Sequence, residues 1–278
     1  MRGLRERQPG IGRMDIFDLE CLYDIAKKQD EGLGTAYEYR VKLKLLHRLL
    51  TKADCRPESI LIAGLPEKYG YSMDLVLLAQ ALEAKLTVLD ERECRLEKFE
   101  DLCRGLRAAS SDHLTLIKTS SWDNFSSGKN HDLIVSCEVL QRLDEGQKIS
   151  YFNELGHCGK MFVAFAPSAE NKSHAKLSGL NTVSLGELEG LLINSGLELL
   201  SSGYLDAPPF PPGLKLSRRN TDQSGQHQSN HILEKIAMLI LGGWSRIERA
   251  IPNTVMQRVS HIAYVSGVRE LRQPNQGE

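Results

Sequence analysis

Short apolar runs alternate with amphipathic stretches between residues 57 and 206. Runs rich in Val, Ile and Leu predict buried strands, and the stretches between them carry apolar residues at helical spacing. Strands are predicted over 59–64, 85–90, 114–118, 133–136, 161–166 and 198–204, and helices over 75–82, 95–104, 145–157 and 185–195. This alternation is typical of parallel βαβ units, so we expect an α/β sheet with helices on both faces.

Helical patterns flank this region on both sides. Residues 15–29 and 36–50 carry apolar side chains near helical spacing. The sequence DAPPFPPG begins at residue 206, and its prolines exclude a regular strand because proline has no backbone donor. An apolar helical pattern follows over 231–249, interrupted at Gly242-Gly243, and alternation over 260–268 predicts a final strand.

These patterns divide the chain into consecutive segments. We expect two tails, an N-terminal helical cap, a core that is completed by the last strand, and an insertion that forms a helical lid. Their bounds are 1–14 and 271–278 for the tails, 15–56 for the cap, 57–206 plus 259–270 for the core, and 207–258 for the insertion.

Composition narrows the function classes. The chain has 278 residues and a formal net charge of -1, which argues against a nucleic-acid binder because phosphate neutralisation needs a basic face. No apolar run approaches the roughly 20 residues that span a bilayer, and none resembles a secretory signal. The six cysteines form no CxxC pair, so we expect no metal site and a cytoplasmic protein with reduced thiols.

Two strand ends carry the candidate chemistry. Gly64 follows the first predicted strand, and Asp90 closes the second. An acid in the position of Asp90 typically binds the hydroxyls of a ribose, although a helix N-cap is the alternative. The loop after Gly64 lacks the G-x-G-x-x-G spacing of dinucleotide sites, Pro66 lacks a backbone donor, and Glu67 would repel a pyrophosphate. The loop therefore disfavours NAD and FAD and is compatible with S-adenosylmethionine, which has no phosphate and carries positive charge.

Four segments resemble the class I S-adenosylmethionine-dependent methyltransferases. The Gly-rich loop of that family matches LIAGLPEKYG, its acid after the second strand matches VLDERE, and its adenine loop matches LIKTSSWDNF. Its fourth strand matches HDLIVSCEVLQRL, from Asp132 to Leu143, and the resemblance covers about residues 57–206 and 259–268. It implies a Rossmann-like, doubly wound, mostly parallel seven-stranded sheet with an antiparallel last strand.

The resemblance implies S-adenosyl-L-methionine as the cofactor and assigns candidate site residues. Glu138 and Tyr37 are candidates for catalysis, and for Glu138 a carboxylate at a helix start is an equal alternative. The chain departs from the family in lacking an acid before Gly64 and in carrying Arg142 where many relatives have His. The cofactor-binding candidates are Gly64, Leu65, Pro66, Gly70, Asp90, Glu91, Ser121, Trp122, Ser136, Cys137 and Glu138, with Asp123 beside them.

The function that the resemblance implies is methyl transfer by in-line displacement to a small-molecule acceptor. The apolar run over 232–241 suggests a hydrophobic acceptor or partner; ordinary core packing and weak interfacial membrane contact, aided by Lys215, Arg218 and Arg219, are alternatives. A non-catalytic adenosyl-ligand-binding or scaffold protein on the same fold is the alternative function. The acceptor, its reacting atom and the oligomeric state stay open.

Overall fold

The computed structural model describes residues 16–67, 70–106, 113–122, 130–207, 209 and 227–269. Seven strands form one sheet: β1 (Ser59–Ala63), β2 (Lys85–Asp90), β3 (Leu114–Lys118), β4 (His131–Cys137), β5 (Gly159–Pro167), β6 (Glu198–Leu205) and β7 (Ile262–Val268). Their order across the sheet is β3-β2-β1-β4-β5-β7-β6. The direction of crossover reverses between β1 and β4, which makes the carboxyl ends of these two strands the switch point of the sheet.

Five neighbouring strands, from β3 to β5, are parallel, and β7 runs antiparallel between β5 and β6. The predicted doubly wound sheet with an antiparallel last strand is therefore confirmed. Because β1, β2 and β4 are parallel and adjacent, the residues that follow them meet at one edge of the sheet. Gly64, Asp90 and Glu138 all lie at this carboxyl edge.

Nine α-helices lie within the described ranges. They are α1 (Leu19–Lys27), α2 (Leu33–Lys52), α3 (Met73–Leu82), α4 (Glu93–Leu106), α5 (Glu145–Cys158), α6 (Lys172–Ser178), α7 (Leu185–Asn194), α8 (His227–Ile247) and α9 (Asn253–Val259). Short 3₁₀ turns span Leu140–Arg142 and Glu248–Ala250. Helices α6 and α9 have seven residues each, too few for a periodic pattern to show in the sequence.

The predicted interruption at Gly242-Gly243 is wrong, because α8 continues through both glycines. Each glycine costs about 1 kcal/mol of helix propensity relative to alanine, but packing can offset this. Helix α8 contacts α1 and α2 and buries Ala237 and Leu241. Arg40 of α2 approaches the bare backbone of Gly242, where an added Cβ would lie 3.4 Å from its Nη1.

The central strand β1 shows why a continuous apolar run is needed here. Ile60 and Ile62 pack into a core with α2, α3 and α4, whereas Leu61 and Ala63 pack into a second core with α5 and α7. All four residues are fully buried. Successive side chains of a strand point to opposite faces, so a strand covered on both faces must be apolar at every position.

Replacing Phe162 tests the second core. Phe162 on β5 is 1% exposed, and its ring lies edge-on to Phe152 with 5.2 Å between centroids. We expect Phe162→Ala to lower the free energy of unfolding by about 3–5 kcal/mol, because it removes a buried ring and leaves a cavity. Chemical denaturation measures this loss. The control is Ile149→Ala on α5, where the side chain is 51% exposed and a change within about 0.5 kcal/mol is expected. Equal midpoints for the two variants would contradict this description of the core.

Candidate active site

Gly64 lies where the chain leaves β1, with φ +87°. Its N–H donates to the carbonyl of Leu89 at 2.7 Å, which ties the start of the loop to β2. A Cβ at this position would overlap Val139 and would lie 3.3 Å from both Arg142 Nη2 and Trp122 Cη2. The left-handed backbone and the close approach of three side chains both require glycine.

The carboxylate of Asp90 is fully buried and is engaged on both oxygens. Its Oδ2 accepts from the Leu65 N–H at 2.7 Å and from Arg92 Nη2 at 2.9 Å. Its Oδ1 accepts from the Arg92 N–H at 2.9 Å and from Arg92 Nε at 2.8 Å. Burial would raise the pKa of Asp90, but the hydrogen bonds from Arg92 and Leu65 lower it. Asp90 is therefore an ionised residue whose hydrogen-bonding capacity is used by its own chain.

Arg142 lies above Gly64 among three acids. Its guanidinium nitrogens lie 3.5 Å from Glu91, 3.6 Å from Glu67 and 3.7 Å from Asp90. These are ion-pair distances, and none of the guanidinium nitrogens has a hydrogen-bond partner within the described parts of the chain. A buried guanidinium that makes no hydrogen bonds is well placed to receive an anionic ligand group.

Two further arginine contacts hold the loop after β1. Arg92 Nη1 donates to Glu67 Oε2 at 2.9 Å. Arg95 donates from Nη2 to the carbonyl of Pro66 at 2.5 Å and from Nη1 to the hydroxyl of Tyr71 at 2.8 Å. The Pro66–Glu67 turn, which departs from the family pattern, is thus fastened to the start of α4.

Three other predicted binding residues have partners within the protein. The N–H of Gly70, at φ +64°, donates to Glu31 Oε1 at 3.2 Å. The carbonyl of Ser121 accepts from Thr119 Oγ1 at 2.6 Å. Trp122 is buried, and its ring meets that of Tyr151 edge-on with 5.1 Å between centroids. Asp123 lies outside the described residues.

Ser136 and Cys137 are buried at the end of β4. The Tyr151 hydroxyl lies 2.8 Å from Ser136 Oγ and 2.6 Å from the carbonyl of Ala63, which fastens α5 to β4 and β1. Burial raises the pKa of the Cys137 thiol to about 12, so this side chain stays protonated. Ser136 is therefore held by the Tyr151 hydroxyl, and Cys137 is part of the buried core.

Glu138 has a strained position directly after β4. Its φ of +55° is unusual for a residue with a side chain, and its N–H donates to the carbonyl of Phe165 at 2.9 Å. The side chain is buried, and its Oε2 has no hydrogen-bond partner in the described structure. Burial, with a smaller contribution from the charge of Glu38, raises the pKa of Glu138 to about 8.

Three charged side chains of α2 and α3 interact electrostatically with one another, and two of them, Glu38 and Lys42, also act on Glu138. Lys42 of α2 is 1% exposed and forms an ion pair with Glu38, one helical turn earlier. Asp74 at the start of α3 is fully buried, and neither carboxylate oxygen has a hydrogen-bond partner in the parts of the chain that are described. Burial raises the pKa of Asp74 to about 7, although Lys42 and the backbone N–H groups of Leu75 and Asp74 at the helix start oppose this rise. We call Glu38, Lys42, Asp74 and Glu138 the buried acidic cluster.

The sequence alone does not indicate this cluster. Glu38 and Lys42 are four residues apart on α2, a spacing that usually marks an exposed ion pair on a helix surface. Asp74 stands one residue inside a helix that is otherwise apolar. The one indication in the sequence is that Glu38, Lys42 and Asp74 stand among apolar residues that are predicted to be buried.

Tyr37 is the second predicted catalytic residue. It belongs to a polar group with Glu248 that is separate from the buried acidic cluster. Its hydroxyl donates to Glu248 Oε2, and Glu248 Oε1 accepts from the Ala207 N–H at 3.0 Å. Burial and the charge of Glu248 raise the pKa of Tyr37, so its hydroxyl stays protonated. These contacts fix the 3₁₀ turn after α8 to the N-terminal helices.

Asp206 and His261 complete the polar residues near this end of the sheet. Asp206 has φ +61°, and its Oδ2 lies 3.0 Å from His261 Nδ1. Burial would lower the pKa of His261, but Asp206 raises it. The His261 ring stacks on that of His174 with 4.0 Å between centroids.

The predicted residues thus do not all lie together. Gly64, Leu65, Asp90, Glu91 and Trp122 meet around Arg142, and Pro66 is held beside them by Arg95. Glu138 belongs to the buried acidic cluster and also interacts electrostatically with Arg142. Gly70 instead contacts Glu31 and Tyr39, farther from Asp90 along the loop.

Two features are absent from the described residues. No group of three or more His, Cys, Asp or Glu side chains there is arranged to hold a metal ion. None of the helices in those ranges is both long and apolar enough to cross a membrane.

Solved structures share this architecture. The methyltransferase domain of bacterial CtHen1 aligns over 82% of this chain and 98% of its own length, with 12% identity and a TM-score of 0.52. The magnesium protoporphyrin IX methyltransferase ChlM from Synechocystis PCC 6803, solved with bound SAH, aligns over 94% of this chain and 90% of its own, with 9% identity and a TM-score of 0.52. No protein-family model and no curated protein matches the sequence. The chain therefore has the class I methyltransferase fold.

Asp74→Asn tests whether the buried acidic cluster carries unsatisfied charge. The pKa of Asp74 is about 7 in the folded chain against an ordinary value of 3.8, so the native state binds more protons than the unfolded state between these values. The free energy of unfolding should therefore fall as pH rises from about 4 to 8. We expect the variant to lose less stability over this range and to be about 1–3 kcal/mol more stable than wild type at pH 8.

Urea denaturation at pH 5 and pH 8 measures this difference. Asp24→Asn is the matched control, because the Asp24 side chain is 62% exposed. It should leave the pH dependence of stability unchanged. A loss of stability at pH 8 in Asp74→Asn would mean that the carboxylate has a stabilising partner.

Proposed function

We propose that this chain is an S-adenosyl-L-methionine-dependent methyltransferase that acts on a small-molecule acceptor. The observation that carries the proposal is the acidic carboxyl edge at the switch point. Gly64 and Glu138 follow β1 and β4 there, and Asp90 is the last residue of β2, in a sheet with the strand order of class I methyltransferases. Ligands of open α/β sheets bind at this edge.

The residues fit a cationic adenosyl ligand. Gly64 leaves bare backbone at the strand end, where a Cβ would collide with its neighbours. Arg142 offers guanidinium nitrogens without hydrogen-bond partners in the described chain, suited to an α-carboxylate. Glu67, Asp90 and Glu91 make the surroundings acidic, which favours a ligand with positive charge and disfavours a phosphate.

Asp90 and Glu91 would bind the ribose hydroxyls, and Trp122 would line the adenine side. Ribose binding at Asp90 requires Arg92 to release at least one carboxylate oxygen, because both are engaged. When bound, S-adenosyl-L-methionine supplies the electrophilic methyl group. The protein's own task is to bind and orient the acceptor and to exclude water.

Glu138 is our candidate for the general base. Its side chain is buried at the carboxyl edge with one oxygen unpartnered among the described residues. A pKa near 8 lies close to the operating pH that favours acid–base catalysis. The carboxylate form, which can accept a proton from the acceptor, becomes the major form as pH rises through this value.

A second candidate function is a non-catalytic adenosyl-ligand-binding or scaffold protein on the same fold. The four hydrogen bonds from Arg92 and Leu65 to Asp90 favour it, since they stabilise the site without a ligand. The two candidates differ in turnover, and they share the expectation that an adenosyl ligand binds.

Titration calorimetry with S-adenosylhomocysteine tests the cofactor. We expect binding to the wild-type chain, no binding of NAD, and at least a tenfold loss of S-adenosylhomocysteine affinity in Asp90→Ala, because charge-assisted hydrogen bonds contribute about 1.5–3 kcal/mol. The control is Glu93→Gln, an exposed acid that pairs with Lys118. Thermal denaturation of each variant shows whether it is folded. Binding of NAD in place of the adenosyl ligand would overturn the proposal.

Glu138→Gln tests the catalytic candidate. We expect methyl transfer to fall by about 10²–10⁴-fold and the rise in kcat near pH 8 to disappear, because glutamine cannot accept the proton. S-adenosylhomocysteine affinity should change by no more than about twofold. If activity survives with the same pH profile, Glu138 is not the base; if the wild type binds the ligand but methylates no acceptor, the second candidate function is favoured.

A further inference from the structure

The side of α8 that faces solvent is apolar. Four large aliphatic side chains are exposed there: Ile236 by 48%, Leu239 by 77%, Ile240 by 47% and Ile247 by 56%. Residues three or four positions apart lie on one side of a helix, and this spacing, with the exposed Gly243 between Ile240 and Ile247, forms a continuous row. We call these four side chains the apolar stripe.

The opposite side of α8 already packs against the protein. Ala237, Leu241 and Ser245, each four residues apart, are buried, and the helix contacts α1 and α2. Trp244 Nε1 also donates to the carbonyl of Ala207 at 2.6 Å. A surface helix with one packed side normally carries polar residues on its other side, so the apolar stripe calls for a second partner.

The apolar stripe belongs to a wider concentration of exposed apolar side chains. Val255 and Val259 of α9 are 47% and 43% exposed. Of the ten large hydrophobic residues that are exposed within the described ranges, six therefore lie between residues 236 and 259. Single exposed hydrophobic residues need no explanation, but a concentration of this kind marks a contact surface.

The exposed charges in the same stretch are positive. Lys235 and Arg246 are about three helical turns apart, so they lie on the same side of α8, beside the apolar stripe, and Arg258 is exposed on α9. Glu234 is half-buried and Glu248 is buried. Among the described side chains of residues 234–259, no exposed one is acidic. This surface therefore complements an apolar partner that carries negative charge.

An anionic lipid surface fits these properties better than a second copy of the chain. Two α8 helices paired through their stripes in antiparallel directions would bring Lys235 of each copy close to Arg246 of the other, and like charges across an interface are repulsive. The stripe is also wholly aliphatic, whereas protein interfaces favour aromatic residues. Acyl chains accept isoleucine and leucine, and anionic headgroups attract nearby lysine and arginine.

We propose that α8 binds to the surface of a membrane that contains anionic lipids, with the apolar stripe among the acyl chains and Lys235 and Arg246 at the headgroups. This is contact with one leaflet, and α8 does not need to span the bilayer. The hydrogen bonds of Trp244 and Glu248 to Ala207 hold the end of α8 to the residues after β6. The membrane contact goes beyond the proposed function and does not depend on it.

Flotation of the full chain with lipid vesicles tests the partner. Vesicles of phosphatidylcholine alone are compared with vesicles of an equimolar mixture of phosphatidylcholine and phosphatidylglycerol. We expect the chain to bind the mixed vesicles at least tenfold more tightly, and added salt to reduce this difference because it screens the charges. Absence of binding to the mixed vesicles, or equal binding to both kinds, would overturn the proposal.

Matched isoleucine variants locate the apolar contact. Ile240→Asp should weaken binding to the mixed vesicles at least tenfold, because it places a negative charge in the apolar stripe. Ile149→Asp is the control, since Ile149 of α5 is 51% exposed and should contribute nothing. Circular dichroism shows whether each variant is folded, and Leu239→Asp replaces Ile240→Asp if that variant is not. Equal losses in the stripe variant and the control would contradict the assignment.

Matched double variants locate the cations. Lys235→Gln combined with Arg246→Gln should lower affinity for the mixed vesicles at least tenfold and leave binding to phosphatidylcholine within about twofold. The control combines Lys27→Gln with Arg104→Gln, whose wild-type side chains are 50% and 68% exposed on α1 and α4. It removes the same net charge and should retain the wild-type affinity within about twofold. An equal loss in both double variants would show that only net charge matters, against the proposal.

Sedimentation velocity without lipid tests the other occupant of the stripe. We expect Ile240→Asp to leave the oligomeric state of the chain unchanged. A wild-type dimer that Ile240→Asp converts to a monomer would mean that a second copy covers the stripe, and the proposal would fail. S-adenosylhomocysteine affinity should stay within about twofold in every variant, so failure of the membrane contact is distinct from failure of the proposed function.

Discussion

The candidate site depends on the hydrogen bonds that the carboxylate of Asp90 accepts. It stands at the end of β2 and accepts the N–H of Leu65, so it joins the loop after β1 to the neighbouring strand. Arg92 completes the connection by binding Asp90, the carbonyl of Leu65 and the carboxylate of Glu67. One buried acid and one arginine thus set the shape of a loop that lacks the usual glycines.

The same edge concentrates charge in an apolar sheet. The strands β1, β4 and β5 contribute mostly apolar side chains, and polar groups collect where the strands end. A charge in such surroundings is stabilised only by a close partner or by protonation. Asp90 is paired with Arg92, which lowers its pKa, whereas burial raises the pKa values of Asp74 and Glu138. At this edge Asp90 is therefore balanced by a cation, whereas the positive charge near Asp74 and Glu138 does not prevent their pKa values from rising.

Much of the fold could be predicted from the sequence because its strands are short and buried. Runs such as Ile60–Ala63 are apolar at every position, and only a strand covered on both faces needs this. The full length of helix α8 was harder to predict from the sequence. Two glycines signal a break, but the packing of the helix on α1 and α2 offsets their cost. The roles of the insertion over 207–258 and of the N-terminal helices as lid and cap remain predictions.

The site could be predicted in part. Gly64 and Glu138 directly follow strands and Asp90 ends one, so the parallel arrangement brings them to one edge, and sequence reasoning places them there. The roles of Arg92, Lys42 and Asp74 could not be assigned. Arg92 and Lys42 pair with acids close in sequence, Asp90 and Glu38, but the burial of Asp90, Lys42 and Asp74 is set by tertiary packing. The packing of α2 on α3 is not encoded by any local pattern.

The arginine at Asp90 also bears on how tightly an adenosyl ligand can bind. If Arg92 leaves the carboxylate, it still has Glu67 and the carbonyl of Leu65 as partners, so its charge is not stranded. The exchange then costs the difference between hydrogen bonds from a guanidinium and those from two hydroxyls, about 1–3 kcal/mol. Because 1.4 kcal/mol corresponds to a tenfold change in affinity, this exchange would weaken binding by about one to two orders of magnitude. If the proposed site binds an adenosyl ligand, its affinity should be lower than that of a site whose acid is free, and the Arg92 side chain would have to move when a ribose binds to Asp90.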